Sequence, residues 1–147
     1  MNTWSRDRLS LENALRQALA NNEFELFYQP QIEIGTGHLV GFESLIRWRR
    51  PGVGLVAPNH FIPAAEESGL IRGIGEWVLG EAISQLAHWQ NAGLPPVPVS
   101  VNISARQCAD TSIIQLMRSA LDGKRLSPKL LKIELTGSHY TVEVAGS

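Results

Sequence analysis

Gly41-Phe42-Glu43-Ser44-Leu45-Ile46-Arg47-Trp48 is the stretch on which the reading turns. Side chains of a strand point alternately to opposite faces. With period two, Val40, Phe42, Ile46 and Trp48 share a face that wants helix cover, and Glu43, Leu45 and Arg47 lie on the other. Just upstream, residues 24–34 read as a strand, in which Pro30 argues for an edge or a bulge. Gly35-Thr36-Gly37 is a turn, and the next strand runs from about Leu39 to Trp48. So short a connection makes an antiparallel hairpin, because a parallel partner needs a crossover of a dozen residues or more.

Downstream the pattern changes. A loop follows Arg50-Pro51-Gly52, and Pro58 opens a short helix that Gly69 ends. Ile74, Val78, Ala82 and Leu86 recur at helical spacing with Trp77 and Trp89 beside them, and Asn91-Ala92-Gly93 stops that helix. Val97 to Ser104 is a third strand. Asp110 or Thr111 caps a further helix whose face carries Ile113, Leu116, Met117, Ala120 and Leu121, and Leu130 to Thr136 is a fourth strand. Ahead of all this, Leu11, Ala14, Leu15, Ala18 and Leu19 mark a first helix with Ser10 near its N-cap. Strands alternating with helices mean βα units and a largely parallel sheet.

An interior parallel strand is normally apolar on both faces. Here the second strand shows Glu43, Leu45 and Arg47 on one face, the third Ser100, Asn102 and Ser104, and the fourth Lys132, Glu134 and Thr136. The first strand adds Gln29 and Gln31. Such faces meet in a shared space in the mouth of a βα barrel, where Glu43, Asn102 and Glu134 would converge as hard oxygen donors suited to Mg²⁺, Mn²⁺ or Ca²⁺. Arg47 on the Glu43 face could grip a phosphate. The alternative reading is a solvent-facing polar side of an open sheet, with Glu43 and Arg47 a weak surface ion pair.

Composition bounds the rest. The chain has 147 residues, formal net charge −1 and one cysteine. The charge balance gives no global attraction to nucleic acid, and Arg47-Trp48-Arg49-Arg50 is discounted as a DNA patch because alternation splits it between faces. Cys108 alone excludes an intrachain disulfide or a multi-cysteine zinc site and suits a reducing, cytoplasmic setting. His38, His60, His88 and His139 lack metal-ligand spacing, and no apolar run predicts a membrane span.

Beyond the polar faces, the order of segments resembles the EAL domain family of cyclic di-GMP phosphodiesterases. Glu43-Ser44-Leu45 stands at its Glu-Ala-Leu signature. Phe27-Tyr28-Gln29-Pro30-Gln31, residues 58–71, Ile74 to Leu79, Val101 to Gln107 and Ile133-Glu134-Leu135-Thr136 resemble its successive segments. The resemblance implies a partial (βα) TIM-like barrel with an antiparallel first strand and about four strands present. It further implies hydrolysis of cyclic di-GMP to pGpG with Mg²⁺ or Mn²⁺. Glu43, Asn102 and Glu134 match metal ligands, and Gln29, Leu45 and Arg47 match the substrate side. Residues 1–22 are expected as a leading helix and linker, 23–136 as the N-terminal half of the domain and 137–147 as a divergent tail. The helix before Asn22 resembles a connection to an upstream GGDEF or sensor domain.

Two departures matter. Ser44 replaces Ala on the face expected to meet helices, so little chemical effect is expected. Gly137 replaces a family Glu that supports an active-site loop, and from Ser138 the resemblance lapses. The later Asp-Asp pair, Lys and Glu of the family have no counterpart, so the expectation is a domain that is inactive alone, the alternative being a non-catalytic module that binds cyclic di-GMP or a protein. Tyr140, Val142 and Val144 alternate and allow an extra strand, but flanking Gly and Ser favour an irregular tail. With the fourth strand's edge open, the sequence predicts a homo-oligomer joined there. Light scattering behind a size-exclusion column checks this, and a well-dispersed monomer rules it out.

Overall fold

The computed structural model describes residues 3–104, 112–136 and 140–143. The elements are α1 (Thr3–Ala20), β1 (Phe24–Ile32), β2 (Leu39–Arg50), β3 (Gly54–Val56), a 3-10 turn (Pro58–His60), α2 (Ile62–Ser68), α3 (Ile71–Asn91), β4 (Val99–Ser104), α4 (Ser112–Gly123), a second 3-10 turn (Pro128–Leu130), β5 (Leu131–Thr136) and β6 (Tyr140–Glu143). Strand order is β1-β2-β4-β5-β6, with β3 paired to β2 off that path. The class is mixed α/β with an open sheet. The parallel pairs β2–β4 and β4–β5 are βα units, as the alternation of periodicities predicts.

The chain divides into two compact units, Met1–Glu25 with Ile46–Ile74, and Leu26–Leu45 with Gly75–Ser147. In the first, α1 does not begin at Ser10. It starts at Thr3, and Arg8, upstream of the expected cap, reaches Glu12 at 4.0 Å and Glu67 of α2 at 2.5 Å. Serine is tolerated inside a helix whose packing outweighs its modest propensity. Leu15 and Ala18 of α1 are buried, as are Ala64 and Ala65 of α2. Gly69 ends α2 in the left-handed conformation at φ 80°, which suits a residue without Cβ.

The core of this unit is aromatic. Phe24, Trp48 and Phe61 pack mutually, with centroids 6.2, 5.7 and 5.7 Å apart. Trp48 is fully buried, and its indole N–H donates to Glu23 Oε1 at 3.1 Å. Buried indoles need such a partner. The Arg50 guanidinium lies 5.1 Å from the Trp48 ring centre, and Arg49 pairs with Glu25. The segment expected as loop after Gly52 instead contains β3, which pairs antiparallel with β2 through Trp48↔Val56 and Arg50↔Gly54. Three residues are too few to carry a readable period.

In the second unit, α3 covers the sheet. The Trp89 ring meets Tyr28 edge-on at 5.3 Å and packs tilted against Phe42 at 4.9 Å, so two neighbouring strands send rings to one helix. Val78, Leu79, Ala82, Ile83 and Leu86 are buried along α3. On α4 the buried stripe is Ile113, Met117 and Leu121, a strict i, i+4 line; Leu116, expected beside them, is 48% exposed. Val40, expected under helix cover, is likewise exposed. Gly41 marks a close approach: a Cβ there would sit 3.0 Å from Pro98 O and 3.0 Å from Gln31 Oε1, where the Phe42 N–H donates to Pro98 O. Residues 140–143 form a strand, against the expectation of an irregular tail, and β6 pairs antiparallel with β5. The edge read as open is thereby occupied. Both candidate caps of α4, Asp110 and Thr111, lie outside the described residues, as do Cys108, Gly137 and His139.

The aromatic triad generates one prediction. Trp48→Ala lowers unfolding free energy by about 3–5 kcal/mol, read by urea denaturation, because it empties a fully buried indole site.

Candidate metal and phosphate site

Three consecutive parallel strands of the second unit carry the oxygen-bearing side chains. Glu43 in β2 is in register with Ser100, and Asn102 in β4 is in register with Glu134 in β5. Parallel pairing aligns equal-parity residues, so these three project from the same side of the ladder. Asn102 Nδ2 donates to Glu43 Oε1 at 3.5 Å, the outer limit of a hydrogen bond. Burial, and then the Glu43 carboxylate, raise the Glu134 carboxyl above its ordinary value. Like charges brought together disfavour ionisation, and a cation between them reverses that.

Asn102 is exposed although its strand neighbours Val101 and Ile103 are buried. Ser100 and Ser104, on the same face, are buried and small enough to leave the space above them to the longer side chains. Ser44, on the opposite face, is buried too; its hydroxyl donates to Ser100 O at 2.9 Å, tying β2 to β4 directly behind Glu43. The serine in place of alanine thus adds a hydrogen bond between strands rather than a group in the site.

The other expected residues lie on β1 and β2. Gln29 on β1 is exposed, and Leu45 on β2 is half-buried. Arg47 lies in the stretch of β2 that belongs to the first unit, and its Nη1 donates to Ile46 O at 2.9 Å. His38, His60 and His88 are exposed. Among the described residues no group of three or more His, Cys, Asp or Glu could hold a metal ion. The donors on this face are two carboxylates and one carboxamide, all hard oxygens, so the set suits Mg²⁺ or Mn²⁺ in chemistry.

Sequence reading passed over Tyr28. Its hydroxyl is pushed up to about 12 by burial and then by the Glu81 carboxylate. Its ring packs on Trp89, the opposite side of the strand from Gln29, so it belongs to the helix interface; the signal available was its parity with Phe24 and Leu26. A raised folded pKa means that the unfolded tyrosine loses its proton first, near pH 10. Stability contributed by neutral Tyr28 is full below about pH 10 and declines as pH rises toward 12. In a Tyr140→Phe background, absorbance at 295 nm follows Tyr28 alone and titrates near pH 12, and Tyr28→Phe flattens the alkaline fall in melting temperature.

The EAL domain family matches residues 12–145. The chain is similar to the bifunctional diguanylate cyclase/cyclic di-GMP phosphodiesterase MucR of Pseudomonas aeruginosa, 41% identical over 138 residues, which are 94% of this chain and 20% of that protein. It is equally similar to the oxygen sensor protein DosP of Escherichia coli, at 41% over 138 residues and 17% of that protein. Among solved structures, the MucR phosphodiesterase in complex with c-di-GMP superposes with TM-score 0.83 and 41% identity, over 88% of this chain and 53% of that one. The Xanthomonas citri FimX EAL domain in complex with c-diGMP gives TM-score 0.80 at 28% identity, over 92% of this chain and 52% of that one. The chain spans about a fifth of the curated relatives' length and about half of the solved domains. With the family matched across most of the 147 residues, the chain belongs to the EAL domain family.

Proposed function

We propose that this chain supplies the metal-facing and phosphate-facing strands of a cyclic di-GMP phosphodiesterase domain in second-messenger signalling. The observation that carries the reading is the register of Asn102 with Glu134 together with the Asn102–Glu43 hydrogen bond, which gathers three hard oxygen donors at one place. Relatives named as cyclic di-GMP phosphodiesterases and a neighbour solved with c-di-GMP support it.

Glu43, Asn102 and Glu134 would hold Mg²⁺ or Mn²⁺. Bound there, the ion supplies Lewis-acid polarisation of a phosphodiester oxygen. The chain's own residues do the rest. Glu43 and Glu134 offset the ion's charge, and Asn102 orients Glu43 through its Nδ2. Arg47 offers a guanidinium to a substrate phosphate, at the expense of its bond to the Ile46 carbonyl. Gln29 and Leu45 border the same ligand in this reading.

General-base hydrolysis needs more than these residues. The sequence holds Asp7, Asp110 and Asp122, no two adjacent, so the 147 residues contain no Asp-Asp pair. We therefore assign this polypeptide by itself to ligand binding without turnover. A cytoplasmic setting and linkage to a cyclase-type or sensor domain, as in the names of MucR and DosP, go with this reading. No helix among the described residues is long and apolar enough to cross a membrane.

Calorimetry and chromatography test it together. Mn²⁺ binding weakens about tenfold or more in Glu43→Gln or Glu134→Gln, with circular dichroism unchanged, because each removes one of two charged donors. Cyclic di-GMP titrated with Ca²⁺ present gives heat that Arg47→Ala diminishes. Incubation with cyclic di-GMP and Mn²⁺ yields no pGpG; its appearance overturns the assignment to binding alone.

A further inference from the structure

Three residues separate the end of β5 from the start of β6, which pairs with it from Leu135↔Tyr140 to Lys132↔Glu143. So short a connection returns the chain antiparallel. The other side of β5 is held by β4 in parallel, Val99↔Leu131 to Ser104↔Thr136. Residues 132–135 of β5 are therefore paired on both sides, and β6 ends the strand order. The register also sets Thr141 of β6 opposite Glu134, the donor nearest this edge of the site.

An unpaired β5 edge would offer its N–H and C=O groups to any other strand. We propose that β6 is a built-in guard of this edge: while it is docked, no further strand, from the same polypeptide or from a second copy, can lie beside Glu134. Docking of β6 and completion of the site from the β5 side are then mutually exclusive. This inference rests on pairing alone and stands whether or not the chain binds cyclic di-GMP.

Amide hydrogen exchange on the 147-residue chain tests it. N–H groups along an antiparallel edge strand alternate between partner and solvent. In β6 the alternate amides that face β5 exchange about tenfold or more slowly than in a free peptide. Thr141→Pro and Val142→Pro separate the two directions. One of them deletes a donor to β5, speeds exchange across residues 132–135 and brings concentration-dependent association in light scattering. The other leaves β5 protected, and protection of Val78 to Leu86 in α3 reports that the fold persists. Free-peptide exchange throughout β6 in the unsubstituted chain overturns the proposal, and that measurement decides alone if neither variant folds. Association of the unsubstituted chain equal to that of both variants also overturns it.

Discussion

Parallel registration of β4 between β2 and β5 is the constraint on which the site depends. A parallel ladder gives its strands no freedom to place equal-parity residues on different sides, so pairing Asn102 with Glu134 and Ser100 with Glu43 leaves the three donors sharing one face. A slip of one residue in either pairing would turn a carboxylate toward α3. Small buried residues enforce the register. Gly41 admits the Pro98 carbonyl at 3.0 Å from where a Cβ would sit, a contact that would force the backbone to shift, and the Ser44 hydroxyl reaches across to Ser100 O.

The opposite face pays for this polarity with aromatic and aliphatic burial. Trp89 of α3 gathers Tyr28 and Phe42, while Val99, Val101 and Ile103 of β4 are all buried. Separation of the two faces lets Glu43 and Glu134 approach each other at the end of an apolar scaffold without being swallowed by it. The first unit solves its own burial problem with Phe24, Trp48 and Phe61, and satisfies the Trp48 indole N–H through Glu23.

Burial first, and then the Glu43 carboxylate, raise the Glu134 carboxyl above its ordinary value, since both disfavour its charged form. A cation placed between two such carboxylates would relieve their repulsion. The chain belongs to the EAL domain family, and the reading of this face as a ligand site is the one proposed above.

Much of this was legible in the residues. Alternation in β2, β4 and β5, the Gly35-Thr36-Gly37 turn and the helical stripe from Ile74 to Leu86 determine the elements, because periods of 2 and 3.6 are local properties of the chain. Candidate donors followed from parity. What the chain alone could not determine lies where pairing outweighs propensity. β3 is too short to show a period, α1 runs on through Ser10 because packing outweighs serine's modest propensity, and Leu116 stays exposed because α4 buries a narrower stripe than its composition offers. Residues 140–143 read as a tail flanked by Gly and Ser, yet they form a strand. Sequence by itself determined which side chains share a face of each strand; only the tertiary structure decided which strands lie side by side and in what register, because that choice is made by hydrogen bonds between segments distant along the chain.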